Sequence, residues 1–195
     1  MPNQYYVMRH GESSSNRQGI IVSKPCNARH YFGLTNKGAE QVMQSATYTR
    51  LGPDTIVISS DYRRAVETAE ILHDIICLNT PLIFDARLRE RDFGTWELTH
   101  HDNYRHVWQS DEQFPNQRVN RVESVSSVLS RVLTLVNELD NTYQNSKVLL
   151  VGHGDVLQIL LAASQGLEPK FHRSLAPLRN AEIRSLPAIA KALTA

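Results

Sequence analysis

Apolar positions along the 195-residue chain fall into two regimes. Short, dense runs rich in β-branched and aromatic residues occur at Gln4-Tyr5-Tyr6-Val7-Met8, Thr55-Ile56-Val57-Ile58, Pro81-Leu82-Ile83-Phe84 and Lys147-Val148-Leu149-Leu150-Val151, with a weaker one at Ala181-Glu182-Ile183-Arg184. They read as strands, and the near-continuous run at 147–151 reads as one covered on both faces. Between them, apolar residues recur at three- and four-residue spacing. Ala39, Val42, Met43 and Ala46 predict a helix over about 36–50, capped by Thr35. Ala65, Val66, Ala69, Leu72 and Ile76 predict one near 61–76, with Ser59 and Ser60 as cap candidates. Val122, Val125, Leu129, Val132, Val136 and Leu139 mark the longest helix, opened by a capping box of Asn120 with Glu123. Asp155 is the expected cap of a further helix to about Gln165, and Pro187 to Leu193 reads as a terminal helix. Residues 17–34 look irregular, and about 98–120 read as a lid or surface excursion.

Strands that alternate with helices imply an α/β fold: a three-layer sandwich with a mainly parallel central sheet between helices. No repeat or linker interrupts the pattern, so residues 1–195 are expected to form a single domain.

Composition narrows the classes. A net charge of +1 gives no electrostatic footprint for nucleic acid or a membrane surface, and no apolar run approaches bilayer length. The chain opens on a strand rather than a charged leader with an apolar core. A cytoplasmic location is therefore expected. Cys26 and Cys77 match no ligand spacing, and Cys77, in an apolar run, is expected to fill core. Arginine outnumbers lysine 16 to 5, which favours an anionic ligand because guanidinium grips tetrahedral anions with two donors.

The chemistry gathers where strands end. Arg9-His10-Gly11-Glu12 follows the first strand and gives way to the polar loop Ser13-Ser14-Ser15-Asn16; Gly152-His153-Gly154 follows the fourth. In open parallel sheets ligands bind off the carboxyl ends of strands, so adjacent strands would bring both imidazoles to one edge. Alone, a strand-end His and Arg are explained by solvation. A second such His, and an arginine pair at the start of a helix, change the balance. Cations are disfavoured there, so Arg63 and Arg64 make better sense if Arg63 pairs with Glu67 or Asp61 while Arg64 meets an anion. Glu90 stands between Arg89 and Arg91, which would lower its pKa unless a bound phosphoryl group reversed the field.

Taken in order, these stretches resemble the histidine phosphatase superfamily, the group that includes the cofactor-dependent phosphoglycerate mutases. The resemblance is carried by Arg9-His10-Gly11-Glu12 with Asn16, Leu34-Thr35 with Gly38, Ser59-Ser60 through Ala69, Leu88 through Glu97, Glu123-Ser124, and Val151 through Gly154. It implies a phosphoglycerate mutase-like fold and a two-step phosphoryl transfer without metal or cofactor. In that chemistry His10 is the nucleophile, Arg9, Arg64 and His153 hold the phosphoryl oxygens, and Glu90 is the general acid and base. Asn16 and the Gly154 backbone are further substrate contacts. Departures at Leu98 to His101, Asn120 to Val122 and the 17–34 loop fall where substrate selection is shaped in the family.

The leading expectation is a metal-independent phosphomonoester hydrolase working on a small phosphorylated substrate or a phosphoprotein. The alternatives are a phosphoglycerate mutase-type transferase and a catalytically silent phosphate-binding module. The Gly11-to-Ser15 stretch misses the GxSxG elbow, and neither a GxxxxGK[ST] loop nor an HExxH pair occurs. His30, His73, His100, His101, His106 and His172 are expected at the surface or in loops, with a pocket under the lid as the alternative place for His100 and His101.

Overall fold

The computed structural model describes residues 1–187; the expected terminal helix, apart from Pro187, lies outside them. In chain order the elements are β1 (Gln4–Arg9), α1 (Ser14–Gln18), α2 (Pro25–Ala28), α3 (Asn36–Tyr48), β2 (Ile56–Ser59), α4 (Arg63–Ile76), β3 (Ile83–Phe84), α5 (Tyr104–Gln113), α6 (Val125–Thr142), β4 (Lys147–Gly152), α7 (Gly154–Ser164) and β5 (Ile183–Leu186). Short 3-10 turns link several of them.

The strands form one sheet in the order β3-β2-β4-β1-β5. All pairings are parallel except β1 with β5. Period-two alternation divides the buried side chains between two layers. Val7, Ile58, Val148 and Leu150 pack against α6 and α7, while Met8, Val57, Leu149 and Val151 pack against α3 and α4. Every residue from Val148 to Val151 is fully buried, as the double-sided reading of that run required. The α/β sandwich is as expected.

Several boundaries differ. The longest helix is capped by Ser124, whose Oγ accepts from the Ser127 amide at 3.2 Å. Asn120 sits instead in a separate turn at φ 53°, and Glu123 turns to Arg131 at 2.9 Å, so no capping box forms. Val122 leaves the α6 seam for a small cluster with Ile21, Phe93 and Val107. The α4 helix begins at Arg63 behind Tyr62; Ser59 ends β2, and Ser60 only steadies the turn by accepting from the Tyr62 amide. His153, not Asp155, occupies the cap position of α7. Residues 17–34 are less irregular than expected: Ser13 and Asn16 form a capping box that starts α1, and α2 follows. Cys77 is exposed, because α4 ends there in the left-handed region at φ 54° and swings the thiol off the core.

Two glycines hold the loop after β1 against α3. A Cβ on Gly38 would lie 2.0 Å from the Glu12 carbonyl oxygen, and one on Gly11 would lie 2.4 Å from the Gly38 oxygen. Backbone meets backbone here, and only residues without side chains permit it. Thr35 adds two further bonds to the Glu12 carbonyl. Gly38→Ala is expected to destabilise the protein by about 1–3 kcal/mol, seen as a lower urea midpoint at unchanged slope. Gly52→Ala, with no atom within 4 Å of the added carbon, should stay within about 0.5 kcal/mol.

Candidate active site

Arg9 and Gly152 are register partners on neighbouring parallel strands. The residues that follow them, His10 and His153, therefore leave the sheet side by side, with ring centroids 5.2 Å apart. Between them lies Arg64, delivered by the first turn of α4 and only 2% exposed. Its Nε donates to His10 Nε2 at 3.1 Å and to His153 Nδ1 at 3.2 Å. Both of those ring nitrogens thus carry lone pairs. The proton of His10 is on Nδ1, which donates to the Gly11 carbonyl at 2.7 Å. The proton of His153 is on Nε2, 2.9 Å from Ser60 Oγ. Each tautomer follows from a fixed neighbour.

The arginines are deliberately under-used. Arg64 spends Nη2 on the Val22 carbonyl at 3.0 Å, and Arg9 spends Nη1 on the Leu178 carbonyl at 2.9 Å. Arg64 Nη1 and Arg9 Nε are buried and have no partner among the described residues. Buried donors are nearly always paired. Two left over on adjacent guanidinium groups suit an oxyanion with several lone pairs.

Gly154 is flanked by the Arg9 guanidinium and the Glu90 carboxylate, each 3.8 Å from where its Cβ would be. Glu90 Oε1 accepts from the Arg91 amide at 3.0 Å and the Val156 amide at 3.4 Å. Asn16 keeps its Oδ1 on Ser13 and lines the same cleft as Arg9, Glu90 and Gly154, about 190 Å³ in volume. All seven residues singled out in the sequence are thus gathered at the carboxyl edge of β1 and β4. Arg63 is apart from them, paired with Glu67 at 2.7 Å.

Electrostatics sharpen the arrangement. Burial holds the His10 pKa well below that of a free imidazole, and the Arg64 and Arg9 charges push it further down. His153 is depressed in the same way by burial, Arg64 and His10. Both rings are neutral. Glu90 goes the other way from the sequence expectation: burial raises its pKa, the Asp155 charge adds to the rise, and Arg64 and Arg9 only partly oppose it. The side-chain charges of its two neighbours in sequence turn away from it, and of the two only the Arg91 backbone amide pulls it down. Arg89 grips Asp61 with two bonds of 2.7 and 2.6 Å; Arg91 grips Asp111 with two of 2.7 and 2.6 Å.

Asp155 is the residue that sequence reasoning missed. Burial works against its charge, yet His172, Arg91, Arg173 and Trp108 together hold its pKa below the usual carboxylate value. Trp108 Nε1 donates to both of its oxygens at 3.1 Å. The pKa values of two buried carboxyl groups are therefore pushed apart, Glu90 up and Asp155 down, a pattern common at sites of acid–base chemistry. The only signal in the sequence was an acidic residue directly after a candidate site glycine. His172, expected at the surface or in a loop, lies in a 3-10 turn but is fully buried, 3.8 Å from Asp155. The 98–120 segment is not loose either. Helix α5 buries Val107 and Asp111 and supplies Tyr104 and Trp108 as a wall of the cleft. His101 lines the cleft, whereas His100 lies against Gly19. With Asp102 they form an exposed trio, the one group among the described residues whose His, Cys or carboxylate donors converge closely enough for a metal ion.

Comparison with known proteins agrees with this geometry. An Escherichia coli protein described as probable phosphoglycerate mutase GpmB is 34% identical over 188 residues, covering 92% of this chain and 82% of its own length. A mycobacterial glucosyl-3-phosphoglycerate phosphatase solved with VO3 superposes at a TM-score of 0.76 with 25% identity, over 92% of this chain and 90% of its own. Bacillus stearothermophilus YhfR gives 0.75 and 26%, over 93% and 89%. The profile of the histidine phosphatase superfamily (branch 1) matches residues 5–191, and this chain belongs to that superfamily.

Proposed function

We propose that the chain is a metal-independent phosphomonoester hydrolase that works through a phosphohistidine on His10. The observation that carries this reading is a buried, neutral imidazole beside two guanidinium groups whose Nη1 (Arg64) and Nε (Arg9) donors have no partner among the described residues.

In the first step the His10 Nε2 lone pair, now shared with Arg64 Nε, turns to phosphorus and forms an N–P bond as the ester P–O bond breaks. The departing oxygen takes the proton of Glu90. In the second step Glu90, now a carboxylate, accepts a proton from water; the hydroxide oxygen attacks phosphorus and the N–P bond breaks, releasing phosphate and a neutral His10. Charge on the transferring group spreads over its equatorial oxygens, so fixed donors from the Arg9 and Arg64 guanidinium cations supply most of the stabilisation, with the neutral His153 ring packed beside them. These cations take the part that a metal takes in other phosphoryl-transfer sites. Asn16 and the Gly154 backbone offer further contacts to the bound ester. The substrate is a small phosphorylated molecule, since α5 walls a cleft of about 190 Å³ and the mycobacterial neighbour's name is that of a sugar-acid phosphatase.

A mutase reading draws on the name of the Escherichia coli relative. It differs in one step: the phosphohistidine is attacked by a second hydroxyl of the substrate instead of water. A coupled assay for phosphoglycerate isomerisation run beside phosphate release separates the two; isomerisation outpacing release would favour the mutase.

His10→Ala should reduce hydrolysis of p-nitrophenyl phosphate to background, and substantial residual turnover would remove His10 as nucleophile. Glu90→Gln should cost about 10²–10⁴-fold on an alkyl phosphate and much less on p-nitrophenyl phosphate, whose leaving oxygen needs no proton. Equal losses on both would contradict the acid role.

A pH prediction follows from the split pair. Glu90 is faced by Asp155 from α7, Arg64 from α4, Arg9 from β1 and Tyr104 from α5. Its raised pKa keeps the acid form present at higher pH than an ordinary carboxyl, and activity is lost as pH climbs through it. Asp155→Asn removes the like charge while an oxygen remains for Trp108. The basic limb of kcat/KM against pH should then move to lower pH; an unmoved limb would deny Asp155 this influence.

A further inference from the structure

The cleft holds more charge than a phosphoryl group uses. Arg173, Gln158 and Trp108 line the same cavity as Arg9 and Glu90. Arg173 is fixed by stacking: its guanidinium carbon lies 3.8 Å from the Trp108 ring centroid, and Trp108 stacks on Tyr104 at 5.4 Å and 7°. The nearest carboxylate is Asp155 at 3.9 Å. That charge is already shared with Arg91, His172 and the Trp108 N–H. Arg173 is therefore a pre-oriented cation whose fork is not consumed among the described residues. Its field reaches Arg9 across the cavity.

Gln158 supplies an independent sign. It is 1% exposed, and its Nε2 donates to the Leu175 and Ala176 carbonyls at 3.2 and 3.3 Å. Two acceptors on one side fix which end of the amide is nitrogen. Its Oε1 is then a buried acceptor with no donor among the described residues. An acceptor left over in this way is costly, and a hydroxyl would satisfy it.

We infer that Arg173, seated on Trp108, is a subsite for a second anionic group of the substrate, and that Gln158 Oε1 accepts from a hydroxyl between that group and the phosphate. The substrate class is a phosphate monoester of a hydroxylated acid. The inference rests on the hydrolase reading for where the phosphate sits, but it assigns residues that the phosphoryl chemistry does not use.

The test compares esters that differ at one group. 3-Phosphoglycerate and glycerol 3-phosphate differ by a carboxylate against a neutral CH2OH; 3-phosphoglycerate and 3-phosphooxypropanoate differ by the hydroxyl. The wild-type protein should favour 3-phosphoglycerate over glycerol 3-phosphate by about tenfold or more in kcat/KM, mostly through KM. It should also favour 3-phosphoglycerate over the deoxy ester by several-fold. Arg173→Gln should erase the first preference and keep the second; Arg173→Lys should keep part of the first. The ratio within each variant is the readout, so a general loss of activity cancels.

No preference in the wild type, or an unchanged ratio in Arg173→Gln, overturns the subsite while p-nitrophenyl phosphate turnover leaves the hydrolase reading standing. Should the wild type hydrolyse no ester at all, the hydrolase reading fails. The subsite is then judged by calorimetric binding of 3-phosphoglycerate, which Arg173→Gln should weaken by about tenfold; equal affinity overturns it.

Discussion

The structure is built around a buried guanidinium. Arg64 sits 2% exposed between two neutral imidazoles, and neither of them can carry a compensating negative charge. Removing a charge from water costs several kcal/mol even after relaxation, so such a group persists only where the surrounding fold holds it. Here the carboxyl group that could neutralise it, Glu90, has its pKa raised by burial and by Asp155. The cup is thus cationic when its own acid is protonated. A dianionic phosphoryl group would relieve that imbalance, and the proposed reaction uses the same imbalance twice: to hold the ester and to stabilise the charge that moves during transfer.

Topology makes this affordable to assemble. Parallel neighbours β1 and β4 end in register, so two backbone segments leave the sheet at the same level and turn over its edge together. The α4 helix starts four residues beyond the end of adjacent β2, which brings its first turn beneath both rings. Helix α3 fixes the remaining freedom by touching the Gly11–Glu12 backbone through Gly38. None of these contacts involves the reacting atoms. They decide where a ring nitrogen points, and an error of an ångström there is expensive for a displacement at phosphorus.

Much of this was legible in the chain. Strands and long helices follow from periodicity, because burial against two layers demands it, and Thr35, Val42, Val132 and Leu149 lie where the pattern puts them. Strand ends and motif order single out the seven residues that the structure brings together at the carboxyl edge of β1 and β4. What escaped depends on partners distant in sequence. Ser124 caps α6 in place of Asn120 because Glu123 is taken by Arg131. Glu90 looked acidified by flanking arginines, but adjacent residues in an extended loop face opposite ways, and its real neighbour is 65 positions on. Arg91 and Asp111 stand 20 positions apart in the chain, and only the fold buries them against each other. Cys77 was misjudged by hydrophobicity, since a helix end, not a core, determines where it points.

Asp155 joins these strands of the argument. It is held by Trp108 from α5, by Arg91 from the loop after Glu90, and by His172 and Arg173 from the segment after α7. The charge of Asp155 in turn raises the pKa of Glu90. Anything that draws Arg173 toward a substrate anion takes positive charge from Asp155, and so strengthens the field that keeps the Glu90 proton in place. Anything that unseats α5 removes the Trp108 donor and leaves a buried carboxylate less well solvated. On the proposed mechanism, binding an anion at Arg173 and arming the acid are therefore one electrostatic event, transmitted through a carboxylate that need not touch the substrate.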